Sequence, residues 1–322
     1  MKKLFIAAAG LLLAACSPKA PQPELASVVG PYTIDEIIPN VYHIQDFNSA
    51  NPAGETYDEN GEKTHFNNCS DMYLLVGDAK ALLVDLSNFV RWDSTAVESL
   101  QQLVSDRIGE VPLTITFTHN HGDHTGMLPA FIDNPAVHFA LPRVDFEALV
   151  DRVPAGQSSL YDSGEKFDLG GLTVTSLIVP GHTHGSMVFF IDGKNLVLTG
   201  DAIGSGHGVW IFNRAGFDDY AQAVPSLISY IQDPANGIDA AALQIYGGHY
   251  WQKDWLDLPE GRELGMEYIL DMQTLINQIG EGTAYSEPSN LGHAVLDSYF
   301  RLNNSIIVWN AAMAAEYAAE KK

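Results

Sequence analysis

The stretch TITFTHNHGDHTGM, residues 114–127, decides the reading of this chain. Leu113 to Phe117 alternates threonine with apolar side chains, which is the two-residue period of a strand. The run then stops, and His119, His121, Asp123 and His124 follow within six residues. A polar cluster at the C-terminal end of a strand lies where open α/β sheets place their chemistry, on loops that a rigid scaffold positions.

The same punctuation recurs three times. After Val179 comes PGHTHGS with His182 and His184; after Thr199 comes GDAIGSG with Asp201; after Tyr246 comes GGHYW with His249. Each donor follows a β-rich run and adjoins glycine, which turns tightly and allows close approach of an ion. Four such turns at one sheet edge gather five imidazoles and two carboxylates, enough for two metal ions. Imidazole with carboxylate suits zinc, copper, iron or nickel, and the lack of a cysteine donor excludes sulfur-rich structural zinc. Seven donors shared over two ions leave positions for water and substrate, which is the catalytic pattern.

The rest of the pattern supplies a scaffold. Strands are expected at 41–45, 72–76, 81–86, 113–117, 137–140, 172–179, 187–191, 196–199 and 241–246. Amphipathic helices are expected over 93–106 with Asp93 or Ser94 as cap, 124–131, 142–150 opening on Pro142, 218–232 capped by Asp218, and 260–281. The tail carries two signals: SIIVW at 305–309 reads as a strand, and AAMAAEYAAEKK has high helix propensity. Strands in a meander followed by strands interleaved with helices predict a mixed α/β assembly with helices on the outer faces of its sheets.

The first residues read as an address. MKKLFIAAAGLLLAAC has a positive start, an apolar run too short to span a bilayer, and small residues before Cys16. LAAC resembles the bacterial lipoprotein signal, which implies removal of 1–15 and a lipid anchor on Cys16. Residues 16–31, rich in proline and small side chains, are expected to be a flexible tether. The remaining 32–322 is expected to be one domain with a C-terminal helical extension. Ser17 points to the outer membrane, so the expectation is an exported, cell-envelope protein facing the periplasm or the exterior. Loss of Lys2 and Lys3 takes the formal charge from −23 to −25. Nucleic acid is excluded as a partner, since phosphate binding needs a basic footprint.

HNHGDH matches the His-x-His-x-Asp-His motif of the metallo-β-lactamase superfamily, and His182, Asp201 and His249 fall after the appropriate strands in the appropriate order. The chain resembles that superfamily from about Val41 to Trp251. The resemblance implies a four-layer αββα sandwich with a dinuclear centre at one edge. It assigns His119, His121 and His182 to one ion, Asp123, His124 and His249 to the other, and Asp201 between them. It makes Asp85, at the end of ALLVDL, a support behind the donors, and leaves His184 behind them or facing solvent. Two Zn2+ per chain are expected, with iron or manganese as alternatives. Such a pair lowers the pKa of a shared water far below that of bulk water, for attack on an ester-type bond of a small molecule. Asp123 is the residue expected to orient that water or accept its proton.

Departures from the pattern shape the details. DLSN stands where relatives usually have Asp-Thr-Gly, so the turn after Asp85 is expected to differ. Asp201 argues against β-lactam hydrolysis, and His121 against the di-iron redox relatives that place glutamate there. His207, Trp210, Phe212 and Arg214 on the loop after Asp201, with Tyr250 and Trp251 beyond His249, are the candidate substrate contacts; the aromatics serve equally well as loop anchors. His43, His65, His138 and His293 match no donor pattern, and Cys69 lacks an activating neighbour. Two other readings stay open: a mononuclear iron oxidoreductase like the persulfide dioxygenases, and a non-catalytic metal-binding surface lipoprotein.

Overall fold

A computed structural model describes residues 27–46, 56–57, 63–65, 70–91, 93–205, 208–249 and 263–322. The leader, Cys16, the tether up to residue 26, Cys69, His207, Tyr250 and Trp251 lie outside the described residues.

Side-chain alternation along the strands builds the layers. The first sheet has eight strands: β1 (Ser27–Val29), β2 (Tyr32–Ile38), β3 (Val41–Asp46), β6 (Asp71–Val76), β7 (Ala81–Val84), β8 (Leu113–Thr116), β9 (His138–Pro142) and β10 (Ser158–Tyr161), in that spatial order. Two short strands, β4 (Thr56–Tyr57) and β5 (Lys63–His65), pair with each other. The second sheet runs β11 (Lys166–Asp168), β12 (Thr173–Ile178), β13 (Met187–Ile191), β14 (Leu196–Gly200) and β16 (Gln244–Gly247). Leu82, Val84, Tyr73 and Leu75 from the first sheet meet Met187, Phe189, Ile191 and Leu198 from the second in one core. The alternate residues face outward: Ala81, Leu83, Met72 and Leu74 against α1 (Ala96–Ile108), and Val188, Phe190, Val197 and Ile245 against α4 (Arg214–Gln232) and α5 (Met266–Glu281). The result is the expected αββα sandwich, each sheet buried on both faces.

Several boundaries differ from the sequence reading for local reasons. Asp93 does not cap α1; its carboxylate accepts from the Thr95 amide at 2.8 Å and the Thr95 hydroxyl at 2.7 Å, closing a turn before the helix starts. Asp218 does not cap α4 either. Asn213 takes that role, accepting from the Gly216 amide at 2.8 Å, so the helix begins at Arg214. Residues 124–131 and 142–150 are not continuous helices. They form the short α2 (Gly122–Thr125) and α3 (Arg143–Phe146) with 3-10 turns at Leu128–Ala130 and Glu147–Arg152, and Pro142 ends β9 instead of opening a helix. Pro129, with no amide hydrogen, stops the first of these from extending.

The C-terminal extension is not purely helical. β17 (Ser286–Pro288), β18 (Ser298–Leu302) and β19 (Ser305–Trp309) precede α6 (Ala311–Glu320), so both tail signals are realised. β19 pairs with β15 (Val209–Trp210), the strand that follows Asp201, and this brings the end of the chain to the functional edge.

His43, without a donor pattern, is a satisfied core residue. It lies on β3 opposite Tyr73 of β6, with Nε2 2.8 Å from Asp71 Oδ1 and Nδ1 3.3 Å from Asp35 Oδ1. Burial works against its charge, but Asp71 and Asp35 outweigh burial and raise its pKa to about 9. A pKa above the ordinary 6.5 means that the stabilisation is full below pH 6.5 and is lost as pH rises through 9. In urea titrations, the stability gap between wild type and His43→Gln should therefore shrink between pH 6.5 and 9, by up to ~3 kcal/mol. A gap that stays constant or widens over that range contradicts the assignment.

Candidate metal centre

The seven donors converge at one edge of the sandwich, on turns that leave β8, β12, β14 and β16. They form three overlapping groups, each with donor atoms within 4.8 Å: His119, His121 and His182; His119, His124 and Asp201; Asp123, His124 and His249. Asp201 stands between the first and last groups. Its Oδ2 is 3.5 Å from both His182 Nε2 and His249 Nε2, and its Oδ1 is 3.5 Å from His124 Nε2. Asp123 Oδ2 lies 3.6 Å from His249 Nε2.

Glycines are required where the loops pass closest. A Cβ on Gly248 would sit 2.6 Å from His124 Cε1 and 2.7 Å from Asp201 Oδ1, so any other residue beside His249 would push these donors apart.

Hydrogen bonds behind the ring fix which nitrogen faces inward. Asp85 is buried at the end of β7, and its Oδ1 accepts from the Thr118 amide at 2.7 Å. Its Oδ2 accepts from the Thr118 hydroxyl at 2.7 Å and from His124 Nδ1 at 3.0 Å. Since the Thr118 hydroxyl donates to Asp85, it can only accept from His119 Nδ1, 3.0 Å away. His182 Nδ1 donates to the Trp210 carbonyl at 3.0 Å. The Nε2 lone pairs of His119, His124 and His182 consequently point into the centre, as expected of metal-binding imidazoles.

The electrostatics are compatible with a bound cation. Nε2 of His119 and of His124 are buried without a hydrogen-bond partner, and His182 Nε2 lies 2.9 Å from His121 Nδ1. Burial pushes the pKa of His119, His121 and His182 down, that of His182 to about 4, leaving neutral imidazoles with available lone pairs. Burial opposes charge on His249 as well, but Asp201 outweighs it and raises its pKa to about 9, while His249 and His124 hold Asp201 well below the usual carboxylate range. Converging imidazoles and carboxylates, with Nε2 of His119 and His124 buried and unpaired, fit a divalent metal site.

The turn after Asp85 has an unusual backbone. Asp85 has φ 66° and Ser87 φ 39°, a left-handed conformation that aspartate tolerates better than most residues. Asn88 is tied to Asp46 Oδ2 through its amide at 3.2 Å and Nδ2 at 2.8 Å. The segment crosses directly over Gly126, whose Cβ would lie 2.1 Å from the Phe89 nitrogen.

Not every candidate reaches the centre. Phe212 does, with ring centroids 5.8 Å from His121 and 5.5 Å from His182. Trp210 reaches it through its carbonyl. Arg214 does not: it pairs with Asp218 at 3.1 Å and Glu320 at 2.8 Å and lies over the Tyr317 ring, because α4 carries it toward α6. His184 is not behind the donors; it pairs with Asp219 at 2.9 Å on the surface, its side chain 60% exposed.

One supporting residue escaped the sequence reading. Asp145 on α3 accepts through its carbonyl from Asn120 Nδ2 at 3.0 Å, between His119 and His121, and through Oδ2 from the Thr183 hydroxyl at 2.7 Å, beside His182. It ties together the two loops that carry the first donor group. A Cβ on Gly185 would meet its Oδ1 at 2.5 Å, so this glycine makes room for it. RVDFEAL carries no donor pattern or glycine, and only the fold discloses the role.

Fold and donor set together define an αββα protein with a candidate metal-binding edge. The family model of the metallo-beta-lactamase superfamily matches residues 70–236, and the chain belongs to that superfamily. Relatives include the lactamase-like protein nscB of Arthroderma gypseum, 28% identical over 194 residues that cover 60% of this chain and 58% of that protein. The atrochrysone carboxyl ACP thioesterase of Claviceps purpurea is 27% identical over 219 residues, 67% of this chain and 58% of that one. The chain thus spans less than two thirds of the length of these relatives. Among solved structures, a metallo-beta-lactamase from Pontibacter korlensis is similar in fold, with a TM-score of 0.53 at 13% identity, covering 76% of this chain and 99% of that one.

The geometry makes Asp145 separable from the donors. Asp145→Ala, which removes the acceptor of the Thr183 hydroxyl beside His182, should weaken zinc binding at the tighter of the measured sites by roughly tenfold in competition with a chromogenic chelator. Unchanged affinity in a folded variant would remove Asp145 from the account.

Proposed function

We propose that this chain is a metal-dependent hydrolase that holds two zinc ions and cleaves an ester-type bond in a small molecule: a carboxylic ester, lactone, thioester or phosphodiester. The observation that carries this reading is the ring of seven donors in three overlapping groups, with Asp201 between them. His119, His121 and His182 would hold one ion, Asp123, His124 and His249 the other, and Asp201 both. When bound, such ions supply Lewis acidity and lower the pKa of a nearby water to near neutrality.

The protein's own residues supply the rest. Asp85 and Thr118 hold His119 and His124 in the orientation that exposes Nε2. Asp123 has a side chain 24% exposed, against 12% for Asp201, and is the carboxylate open to an incoming water. It is placed to orient that water and to accept its proton. Phe212 lies beside His121 and His182 and limits water on that flank. The thioesterase among the relatives supports the ester-type class, thioesters included. The apolar leader and Cys16 support export and lipid anchoring to the cell envelope.

Zinc-loaded protein should hydrolyse at least one member of a panel of carboxylic esters, lactones, thioesters and phosphodiesters. Asp123→Asn should lower kcat on that substrate by roughly 10²-fold or more, the usual contribution of a positioned acid or base. Fully metal-loaded wild type without turnover of any class, or Asp123→Asn with wild-type kcat, contradicts the proposal.

A further inference from the structure

His293 matches no donor pattern, yet its ring centroid lies 6.0 Å from that of Phe212, at 76° to its plane. Phe212 is the ring that stands beside His121 and His182. An exposed imidazole from the C-terminal part of the chain is thus one ring removed from two metal donors. Trp210 adds a further ring, 6.4 Å from Phe212.

The segment 289–297 that carries His293 is held rigidly. The Ser289 amide donates to the Asp297 carbonyl at 2.7 Å, the Leu296 amide to the His293 carbonyl at 3.0 Å, and the Tyr299 hydroxyl to Asn290 Oδ1 at 2.7 Å. Asn310 Nδ2 reaches Asp297 Oδ2 at 2.8 Å and the Ala294 carbonyl at 3.2 Å. Beneath it, Leu296, Tyr299, Ile306 and Val308 form a small core of their own. Trp210, Phe212, Leu291 and Val295 pack onto this core and stay only partly buried. Covering such partly exposed apolar surface with an apolar group removes both from water and is favourable.

Charge narrows what can cover it. Arg214 is committed to Asp218 and Glu320, and Arg301 on β18 is committed to Glu287. Among the described residues of this wall, no guanidinium is left to receive a phosphate or carboxylate. What remains is aromatic faces and edges, two aliphatic side chains and one imidazole, a set suited to a flat uncharged ring.

Resting on the hydrolase reading above, we propose that Trp210, Phe212, Val295 and His293 bind the non-reacting part of the substrate, and that this part is an uncharged aromatic group. Phe212 forms the plate next to the metal donors, and His293 offers a hydrogen bond at the outer edge.

The test compares wild type, Phe212→Leu and His293→Ala on 2-naphthyl acetate and ethyl acetate. The same proteins are titrated calorimetrically with 2-naphthol and 2-naphthoate, and metal content is measured in each. Leucine keeps apolar bulk without the ring, which protects folding. The intrinsic reactivities of the two esters cancel, because the ratio of their kcat/KM values is compared between proteins. Phe212→Leu should lower the naphthyl-to-ethyl ratio and the 2-naphthol affinity by roughly fivefold, and His293→Ala by roughly threefold, with metal content unchanged. A ratio and affinity within twofold of wild type in both variants, for 2-naphthol and 2-naphthoate alike, overturn the proposal. If neither ester is turned over, the hydrolase reading fails on these substrates, while the naphthol titrations decide the wall: affinity lost in the variants supports it, and absent or unchanged binding overturns it.

Discussion

Asp85 is the point on which the centre depends. One buried carboxylate receives three hydrogen bonds, from the Thr118 amide, the Thr118 hydroxyl and His124 Nδ1. Through Thr118 it also determines the tautomer of His119. Burial raises its pKa, opposed by His124 and by the bonds from Thr118, so the donors that it orients also help keep it charged. Because Asp85 ends β7 and Thr118 follows β8, the parallel pairing of these two strands sets the distance between carboxylate and donors. The two strands thus act on the centre through this contact, and the left-handed backbone at Asp85 is tolerated where the surrounding bonds over-determine it.

The loops do not act independently. Asp145 joins the His119–His121 loop to the His182 loop, and the Trp210 carbonyl joins His182 to β15. β15 pairs with β19, so the last strand of the chain reaches the third histidine through a continuous line of hydrogen bonds and packing. In this way the C-terminal segments become part of the wall beside the centre and do more than extend the scaffold.

Much of this was legible in the sequence. The seven donors stand out because they fall on four turns that each follow a strand-like run and carry a glycine, and both sheets follow from alternation at residues such as 72–75 and 187–191. The misreadings have physical causes. Asp93, Asp218 and Asn213 are all good caps by type, and choosing among them depends on the backbone path into the helix. Arg214 looked like a substrate contact because it follows aromatics, but helix α4 turns it toward Glu320, a residue distant in sequence. Asp145 and His293 act only through contacts made by folding, and no local pattern marks such residues.

Metal content tests the central claim most directly: that Asp201 joins two donor groups into one centre. Plasma mass spectrometry on purified wild-type and Asp201→Ala protein, each equilibrated with zinc, gives the answer. The account predicts about two ions per wild-type chain and about one or fewer in the variant. One ion per chain in both proteins, insensitive to the substitution, contradicts the shared role of Asp201 and favours a mononuclear centre.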